Sequence, residues 1–325
     1  MTTFTFETIT AAQALQFTAN DLLMFQTGTA MQSSVSYLLN GDVAITVGAR
    51  TVEFGAAITN VALPFTFASN GSVLFIGGTA ADEVSLSGSI PGNAMFGGGG
   101  NDVLDLDGMG GLAQGNQGND TILSQGQATI YGGQGDDSLS ATVGADHDFL
   151  QGNKGNDTIV GGLHDTLLGG QGDDSITGGG ILDGNLGDDR VTGSGQLFGE
   201  DGNDTLTTMG LGGDSLTGGN GADHFVFSNG APSSGFITQI LDWSSLDSLQ
   251  FRAPAAGTTG FTTATASSYQ AALTAATGLI QTNHFAHVAV QVGADVIVFS
   301  SASGAPDAVD LVGRTLADIS AANFI

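Results

Sequence analysis

A short glycine-rich motif recurs along the middle of this chain and constrains its fold more than any other feature. Its form is Gly-Gly-x-Gly-x-Asp-x-apolar, as in residues 169–176 (GGQGDDSI), with clear copies at 97–104, 132–139 and 218–225. Looser copies begin at residues 77, 115, 152, 184 and 199. The motif aspartates follow one another at intervals of 20, 18, 17, 20, 17, 15, 15 and 19 residues. A repeat of nearly constant length predicts a solenoid.

Two columns of apolar residues accompany the motif. The residue two positions after each motif aspartate is apolar in all nine copies. The residue two positions before the first motif glycine is a large apolar residue in eight copies and Ala113 in the ninth. Two such columns predict two short strands per coil, each with one side chain pointing inward. Stacked coils then form two parallel sheets that share a thin core.

The composition favours a folded chain with a strongly acidic surface. Glycine is common at 53 of 325 residues, but a hydrophobic content of 41% argues against a disordered linker. The formal net charge of -27 comes from 32 acidic and 5 basic residues, and Glu occurs only at positions 7, 53, 83 and 200. Five basic residues form no patch for nucleic acid. The absence of cysteine excludes disulfides and thiolate metal sites.

The repeated loop has the chemistry of a calcium site. Glycines let backbone carbonyls converge and aspartate adds a carboxylate, which together suit the six to eight hard oxygen ligands of Ca²⁺. Without a cation, a column of carboxylates about 4.8 Å apart would repel itself. The candidate ligand residues are Asp82, Gly97, Gly98, Gly100, Asp102, Gly115, Gly118, Asp120, Gly132, Gly135, Asp137, Gly152, Gly155, Asp157, Gly169, Gly172, Asp174, Gly184, Gly187, Asp189, Gly199, Gly202, Asp204, Gly218, Gly221, Asp223 and Asp242.

The glycines of the motif predict particular backbone conformations. We expect the first and fourth positions to need a positive φ. At the second position, Asn116, Asn153 and Asn185 replace glycine and tolerate the left-handed region, whereas Glu200 fits poorly.

The chain resembles the RTX, or repeats-in-toxin, family, whose signature is the nonapeptide GGxGxDxUx, with U apolar. The resemblance covers residues 71–251, including GADHFVFSNG and ITQILDWSSLDSLQF after the last repeat. It implies an all-β, right-handed parallel β-roll that binds Ca²⁺ and is exported unfolded by type I secretion machinery. The tail LVGRTLADISAANFI is similar to the secretion-signal ends of this family, although Asn323 stands where an acidic residue is common.

This chain departs from the family pattern because its motif comes once per coil of about 18 residues, not every nine. The intervening turns, such as residues 107–111 and 161–164, are glycine-rich but irregular. We therefore expect calcium loops on one edge of the roll and a bare, irregular opposite edge. Nine loops leave eight gaps, and the Asp82 loop carries Ala80 and Ala81. The expected total is about seven Ca²⁺ in one column, with a further site near Asp242 and Asp247.

The segments on either side of the roll predict small β-rich modules. We place the N-terminal module at residues 1–70, the roll at 71–227 and a C-terminal capping module with the secretion signal at 228–325. In the N-terminal module we expect a helix over 11–25 and strands over 34–39, 43–47, 50–54 and 62–67. In the C-terminal module we expect a strand–turn–strand over 236–251, a helix over 267–279 and a hairpin over 287–300.

The leading functional hypothesis is a secreted calcium-binding structural protein of the bacterial cell surface or extracellular biofilm matrix. Its partners would be other copies of itself, in a filament or S-layer-like array, and cell-surface polysaccharide. The alternative is a calcium-dependent adhesin or carbohydrate-binding module, less favourably an accessory module of a polysaccharide-modifying enzyme. No catalytic constellation stands out, so we expect no enzymatic activity. The sequence also shows no Sec-type signal and no apolar run of membrane-spanning length.

Overall fold

The computed structural model describes residues 2–60, 65–86, 92–106, 110–141, 147–209, 213–227, 237–251, 257, 259–301 and 306–325. It divides into two compact units, Met1–Leu167 and Leu168–Ile325. The predicted boundaries at residues 70 and 228 stay predictions. Within the described residues, no helix is long and apolar enough to cross a membrane.

The first unit begins with a small module of short elements. These are β1 (Thr3–Thr5), α1 (Ala11–Leu15), β2 (Leu22–Met24), a 3-10 helix (Ala30–Gln32), β3 (Ser33–Tyr37), β4 (Val43–Val47), β5 (Arg50–Phe54), a 3-10 helix (Ala56–Asn60), β6 (Phe65–Thr66) and β7 (Val73–Ile76). β3, β4 and β5 form an antiparallel sheet in which Val35 lies opposite Ile45, and Ile45 opposite Val52. All three side chains are buried, as alternation along the strands requires.

The predicted helix over 11–25 is wrong beyond Leu15. A Thr10 capping box starts the helix, but the Asp21 carboxylate accepts hydrogen bonds from the backbone N–H groups of Thr18 and Thr2. These bonds turn the chain so that Leu22–Met24 pairs in parallel with Thr3–Thr5. The apolar residues of this stretch therefore enter a strand and a turn instead of one helical face.

A hydrophobic cluster joins this module to the first coils. It includes Phe25, whose ring stacks on Phe6 and Phe67 at centroid distances of 4.8 and 4.4 Å. The same cluster contains Leu74 from β7 and Phe96 from the strand Asn93–Gly99. The module therefore covers the open end of the solenoid core with aromatic side chains.

The coils of the first unit alternate between two strand positions. Their strands are β8 (Glu83–Ser85), β9 (Asn93–Gly99), β10 (Val103–Asp105), β11 (Gly111–Gln117), β12 (Thr121–Ser124), β13 (Ala128–Gln134), β14 (Ser138–Ala141), β15 (Phe149–Lys154) and β16 (Thr158–Val160). Successive odd-numbered strands pair in parallel, as do successive even-numbered strands. This arrangement is the predicted parallel solenoid, with two strands per coil.

β17 (Asp165–Gln171) contains the division between the units, and the second unit continues with parallel coils. Its elements are β18 (Ser175–Leu186), β19 (Arg190–Asp201), β20 (Thr205–Thr208), β21 (Ser215–Asn220), β22 (His224–Phe227), β23 (Thr238–Ile240), β24 (Ser248–Phe251), β25 (Phe261–Ala266), α2 (Tyr269–Asn283), β26 (His287–Val292), β27 (Asp295–Ser300), β28 (Asp307–Leu311) and 3-10 helices at Leu316–Asp318 and Ala321–Asn323. β26 and β27 form the predicted hairpin. α2 packs on it through buried Ala272, Ala276 and Ile280.

The two apolar columns predicted from the sequence form the core of the coils. From Leu104 to Phe225, the residue two positions after each motif aspartate has 0% exposure, as has each residue of the other column from Met95 to Leu216. In the first coil, Phe75 and Val84 are only half-buried. The column therefore begins one coil later than the sequence predicts, where both neighbouring coils cover each side chain.

Candidate metal site

The motif aspartates form a ladder along one edge of the coils. In the first unit, the backbone N–H of each aspartate donates to Oδ1 of the aspartate in the next coil, from Asp82 through Asp157, at 2.8 Å in every step. In the second unit the same bonds run from Asp174 through Asp223 to Asp247, at 2.7–3.1 Å. One carboxylate oxygen of each step therefore holds two loops in register.

The other carboxylate oxygen, Oδ2, is buried inside its own loop. For five aspartates it has no hydrogen-bond partner among the residues that the structure describes: Asp102, Asp120, Asp137, Asp189 and Asp204. These residues are at most 2% exposed. A buried carboxylate oxygen without a partner is unfavourable by several kcal/mol, in the range of about 2–7 kcal/mol for polar groups generally. A bound cation or a proton would therefore stabilise these oxygens.

Burial raises the pKa of the ladder carboxyls, because the charged form loses its hydration. Neighbouring carboxylates raise the pKa further, while the backbone N–H of the preceding coil opposes the shift. The pKa rises to about 7 in Asp102 and Asp189, about 8 in Asp137, and about 6 in Asp157, Asp204 and Asp223. A cation beside these groups would favour their charged forms and so lower these pKa values.

The first motif glycine is required for a reason different from the predicted one. None of the eight from Gly97 to Gly218 has a positive φ, so that expectation is wrong for this position. Instead, a Cβ placed on these glycines would lie 2.0–2.3 Å from Oδ2 of the aspartate in the same loop. The carboxylate occupies the space of the missing side chain.

From the copy that begins at Gly97 onwards, the second and fourth motif positions do have a positive φ. At the fourth position, Gly118 has φ +124°, and a Cβ there would lie 1.9 Å from the carbonyl oxygen of Gly100 in the preceding loop. At the second position, Asn116, Asn153 and Asn185 have φ of 75–81°, which confirms the reading of these asparagines. Glu200 adopts the same conformation, with φ 76°, although glutamate is poorly suited to it.

A second ladder, which the sequence analysis did not predict, lies beside the first. The residue before each motif aspartate is Asn or Asp in seven copies. In six of them its Oδ1 accepts a hydrogen bond from the backbone N–H of the following coil. In the first unit these bonds link Asn101 to Asn119, Asn119 to Asp136, and Asp136 to Asn156, at 2.9–3.1 Å. In the second unit they link Asp173 through Asp188 and Asn203 to Ala222, at 2.7–3.1 Å. In the first ladder each N–H donates to the next coil, and in the second each N–H donates to the preceding coil. Together the two ladders fix the spacing of adjacent loops.

The opposite edge of the coils is irregular, but it is not bare. Asp148, Asp165 and Asp214 are buried there, with exposures of 2%, 1% and 5%. They repeat the ladder bond: Ala128 N–H donates to Asp148, Asp148 N–H to Asp165, and Gly195 N–H to Asp214, at 2.6–2.9 Å. The opposite edge therefore carries buried carboxylates in these coils, and the expectation that it binds no calcium stays a prediction. Each aspartate precedes a core leucine by two residues, which is the motif's own Asp-x-apolar spacing and could have identified them.

Asp242 and Asp247 have different positions beyond the last repeat. Asp242, a predicted ligand, accepts hydrogen bonds from the N–H groups of Gly218 and Gly219 at 3.0 and 2.7 Å. Asp247 occupies the next step of the ladder, is 4% exposed, and accepts from Asp223 N–H. The ladder therefore extends one coil past the last recognisable motif, through Asp247 and not Asp242.

The donor set of these loops fits Ca²⁺. The chain's own candidate ligands are Oδ2 of the ladder aspartates and backbone carbonyls of the loop glycines, all hard oxygens. No group of three or more His, Asp or Glu side chains that could hold a metal ion is found in the described ranges, so backbone carbonyls would have to complete the coordination. A bound ion would neutralise the carboxylates and connect adjacent loops.

The comparison with protein families agrees with this geometry. The model of the RTX calcium-binding nonapeptide repeat matches four times, at residues 114–147, 142–164, 162–180 and 198–231. The repeats form an RTX calcium-binding β-roll. The RTX match includes residues 142–164 and 162–180, where Asp148 and Asp165 lie on the irregular edge. Proteins with RTX repeats are typically secreted.

The other comparisons add little about function. The sequence has no significant match among curated proteins. One similar solved structure is the crystal structure of extracellular lipase LipA from Serratia marcescens, whose sequence is 18% identical to this chain. The alignment covers 63% of this chain and 40% of the lipase chain, with a TM-score of 0.18. This chain thus spans less than half the length of that lipase. At this TM-score the similarity supports no conclusion about activity.

Proposed function

We propose that this chain is a secreted protein whose RTX roll folds on binding Ca²⁺ outside the cell, and that it serves as a non-enzymatic structural component of the cell surface or extracellular matrix. The observation that supports calcium-dependent folding is the column of buried aspartates, five of which have an Oδ2 without a hydrogen-bond partner among the described residues. Such a column is unfavourable while the carboxylates are charged, and a cation between loops removes the repulsion. Folding and calcium binding would then be one process.

The calcium concentration outside the cell would decide where the roll folds. Extracellular calcium modules have dissociation constants on the order of 10⁻⁴ to 10⁻³ M. The calcium concentration in the cytosol is far too low to saturate sites of this affinity. The chain would stay unfolded during type I export and fold afterwards. In the folded chain the tail is docked, since Ile325 N–H donates to Leu249 O at 3.2 Å and the Phe324 ring stacks on His287 at 4.3 Å. Recognition of this tail would therefore precede folding.

The structural role rests on self-association. The N-terminal module covers the first coil, so self-association would use the strand edges of the terminal modules, whose backbone groups can pair with another copy. The acidic loops would become less repulsive when Ca²⁺ is bound, because the net charge of -27 falls in magnitude. Assembly would then require calcium for both folding and charge reduction.

Two measurements on the full chain test these steps separately. Far-UV circular dichroism should show little β signal in calcium-free buffer and a cooperative gain as Ca²⁺ is added; a roll already folded in chelator would contradict calcium-dependent folding. Negative-stain imaging should show ordered assemblies only with millimolar Ca²⁺. Dispersed, folded monomers in calcium would overturn the assembly proposal and leave calcium-dependent folding standing.

A further inference from the structure

A groove of about 570 Å³ lies on the outer face of the first unit. One wall is the strand β3, including Tyr37, and the floor is the outward-facing side of β11, β13 and β15, with Gln114, Tyr131 and Gln134. The volume falls within the range of about 300–1,000 Å³ that is usual for ligand sites. The groove is thus built jointly by the N-terminal module and the coils.

The rigid parts of the groove are aromatic. The Tyr37 hydroxyl lies 3.2 Å from Gly77 O and 3.1 Å from Phe96 O, which holds its ring against the coil backbone. On the floor, the half-buried Tyr131 ring contacts Phe149 at a centroid distance of 5.7 Å. Two fixed tyrosine rings provide apolar faces at little conformational cost to a bound molecule.

Three glutamines of the groove offer hydrogen bonds that the protein does not use. Gln114, Gln117 and Gln134 line the groove, and no residue in the described ranges hydrogen-bonds to their side chains. A glutamine amide both donates and accepts, so a row of them matches a molecule rich in hydroxyl groups. These residues come from two adjacent coils, which places them along the groove and not at a single point.

The charge of the groove separates it from the rest of the molecule. None of its fifteen lining residues is acidic, and they include Lys154, one of only 5 basic residues in a chain of net charge -27. A cation would find no carboxylate here, and one lysine is too little for nucleic acid. The groove suits an uncharged, hydroxyl-rich ligand.

We propose that this groove binds a segment of oligosaccharide, with Tyr131 as a stacking platform and Gln114, Gln117 and Gln134 as hydrogen-bonding partners of the sugar hydroxyls. This site gives the chain an adhesive activity that does not depend on self-assembly. It does rest on the proposed calcium-dependent folding, because Gln117, Gln134 and Lys154 occupy the third position of the calcium loops. Calcium binding would therefore set the spacing of the sugar-binding side chains.

Screening the calcium-loaded full chain on an array of neutral and uronate-containing glycans tests the proposal. Titration calorimetry then measures the affinity of the best glycan. We expect binding to a neutral oligosaccharide, with affinity reduced at least about fivefold in Gln134→Ala and in Tyr131→Ala, since each removes at least one contact. The matched control is Gln171→Ala, which removes the exposed glutamine at the same loop position in the second unit, outside the groove; its affinity should equal that of the unchanged chain.

Several outcomes would overturn this assignment. These are no binding by a chain that circular dichroism shows to be folded, equal affinity of all three variants, or selective binding of uronate polymers. A concentration-dependent dimer lost in Tyr131→Ala would place a second copy of the chain in the groove instead. A calcium-free chain that is folded and binds sugar with unchanged affinity would support the groove while refuting the calcium requirement.

Discussion

At the scale of single residues, the calcium edge depends on which atom occupies the space beside each aspartate. Oδ1 connects adjacent coils and Oδ2 fills the position where the first glycine would carry a Cβ. The sequence predicted the need for glycine and aspartate correctly. Only the structure showed why the first glycine is needed. The contact is made by a side-chain oxygen, and the direction of that oxygen depends on the neighbouring coil.

Substituting Gly132 by alanine should destabilise the roll without any backbone strain. The new Cβ would lie 2.2 Å from Asp137 Oδ2 and 2.8 Å from Gly152 O, so the carboxylate must move. We expect a loss of about 1–3 kcal/mol in the free energy of unfolding, measured in calcium by denaturant titration. Gly278→Ala is the control, since a Cβ at that position in α2 meets nothing within 4 Å. An equal loss in both variants would refute the explanation.

Substituting Glu200 by glycine should stabilise the protein. Glu200 has φ 76°, a conformation that is unfavourable by about 1–2 kcal/mol for most residues with a Cβ. Thermal unfolding in calcium should shift upwards. Glu200→Asn removes the same charge and keeps a side chain that tolerates this φ, so it should give a smaller gain than glycine. No change in either variant would show that the loop relieves the strain in another way.

At the scale of elements, prediction succeeded where one local pattern was sufficient. The strands at Val43–Val47 and Arg50–Phe54 and the hairpin of β26 and β27 follow from alternating apolar residues and turn glycines. The helix expected over residues 11–25 failed because Leu22–Met24 pairs with Thr3–Thr5. That pairing adds backbone hydrogen bonds and buries Leu23. The sequence pattern of residues 11–25 alone does not reveal a pairing with residues far away in the chain.

The contact between β3 and the coils can be tested through Tyr37. Tyr37→Phe keeps the ring and removes the hydroxyl that lies near Gly77 O and Phe96 O. We expect the free energy of unfolding to fall by about 0.5–1.5 kcal/mol. Ser36→Ala, at the exposed neighbouring position, serves as the control. Unchanged stability of Tyr37→Phe would mean that the ring alone attaches β3 to the coils.

At the scale of the whole molecule, the acidic charge and the buried ladders make calcium-free stability depend on pH. A carboxyl whose pKa is higher in the folded chain than in the unfolded chain stabilises the fold at low pH. This contribution is fully present when the pH is below the unfolded pKa of about 4. That contribution is lost as the pH rises through the folded values of about 6 to about 8. Without metal, the fold should therefore be more stable near pH 5 than near pH 8.

Calcium-free protein prepared on a chelating resin allows this prediction to be measured. Its far-UV circular dichroism should show more β structure at pH 5 than at pH 8, and saturating Ca²⁺ should remove most of the difference at neutral pH. The reverse order, with less β structure at pH 5, would contradict the burial of charged carboxylates. A truly pH-independent spectrum in calcium-free buffer would do the same.

The sequence by itself determined the coil length, the two inward columns, the column of aspartates and the calcium-binding character of its loops. These properties repeat locally, so each copy of the motif specifies them independently. Only the tertiary structure decided that Asp247 continues the ladder in place of Asp242, and that Asp148, Asp165 and Asp214 are buried on the other edge. It also decided that Tyr37 and Tyr131 line one groove. Those features depend on which residues of different coils lie side by side, and irregular turns of varying length set that register.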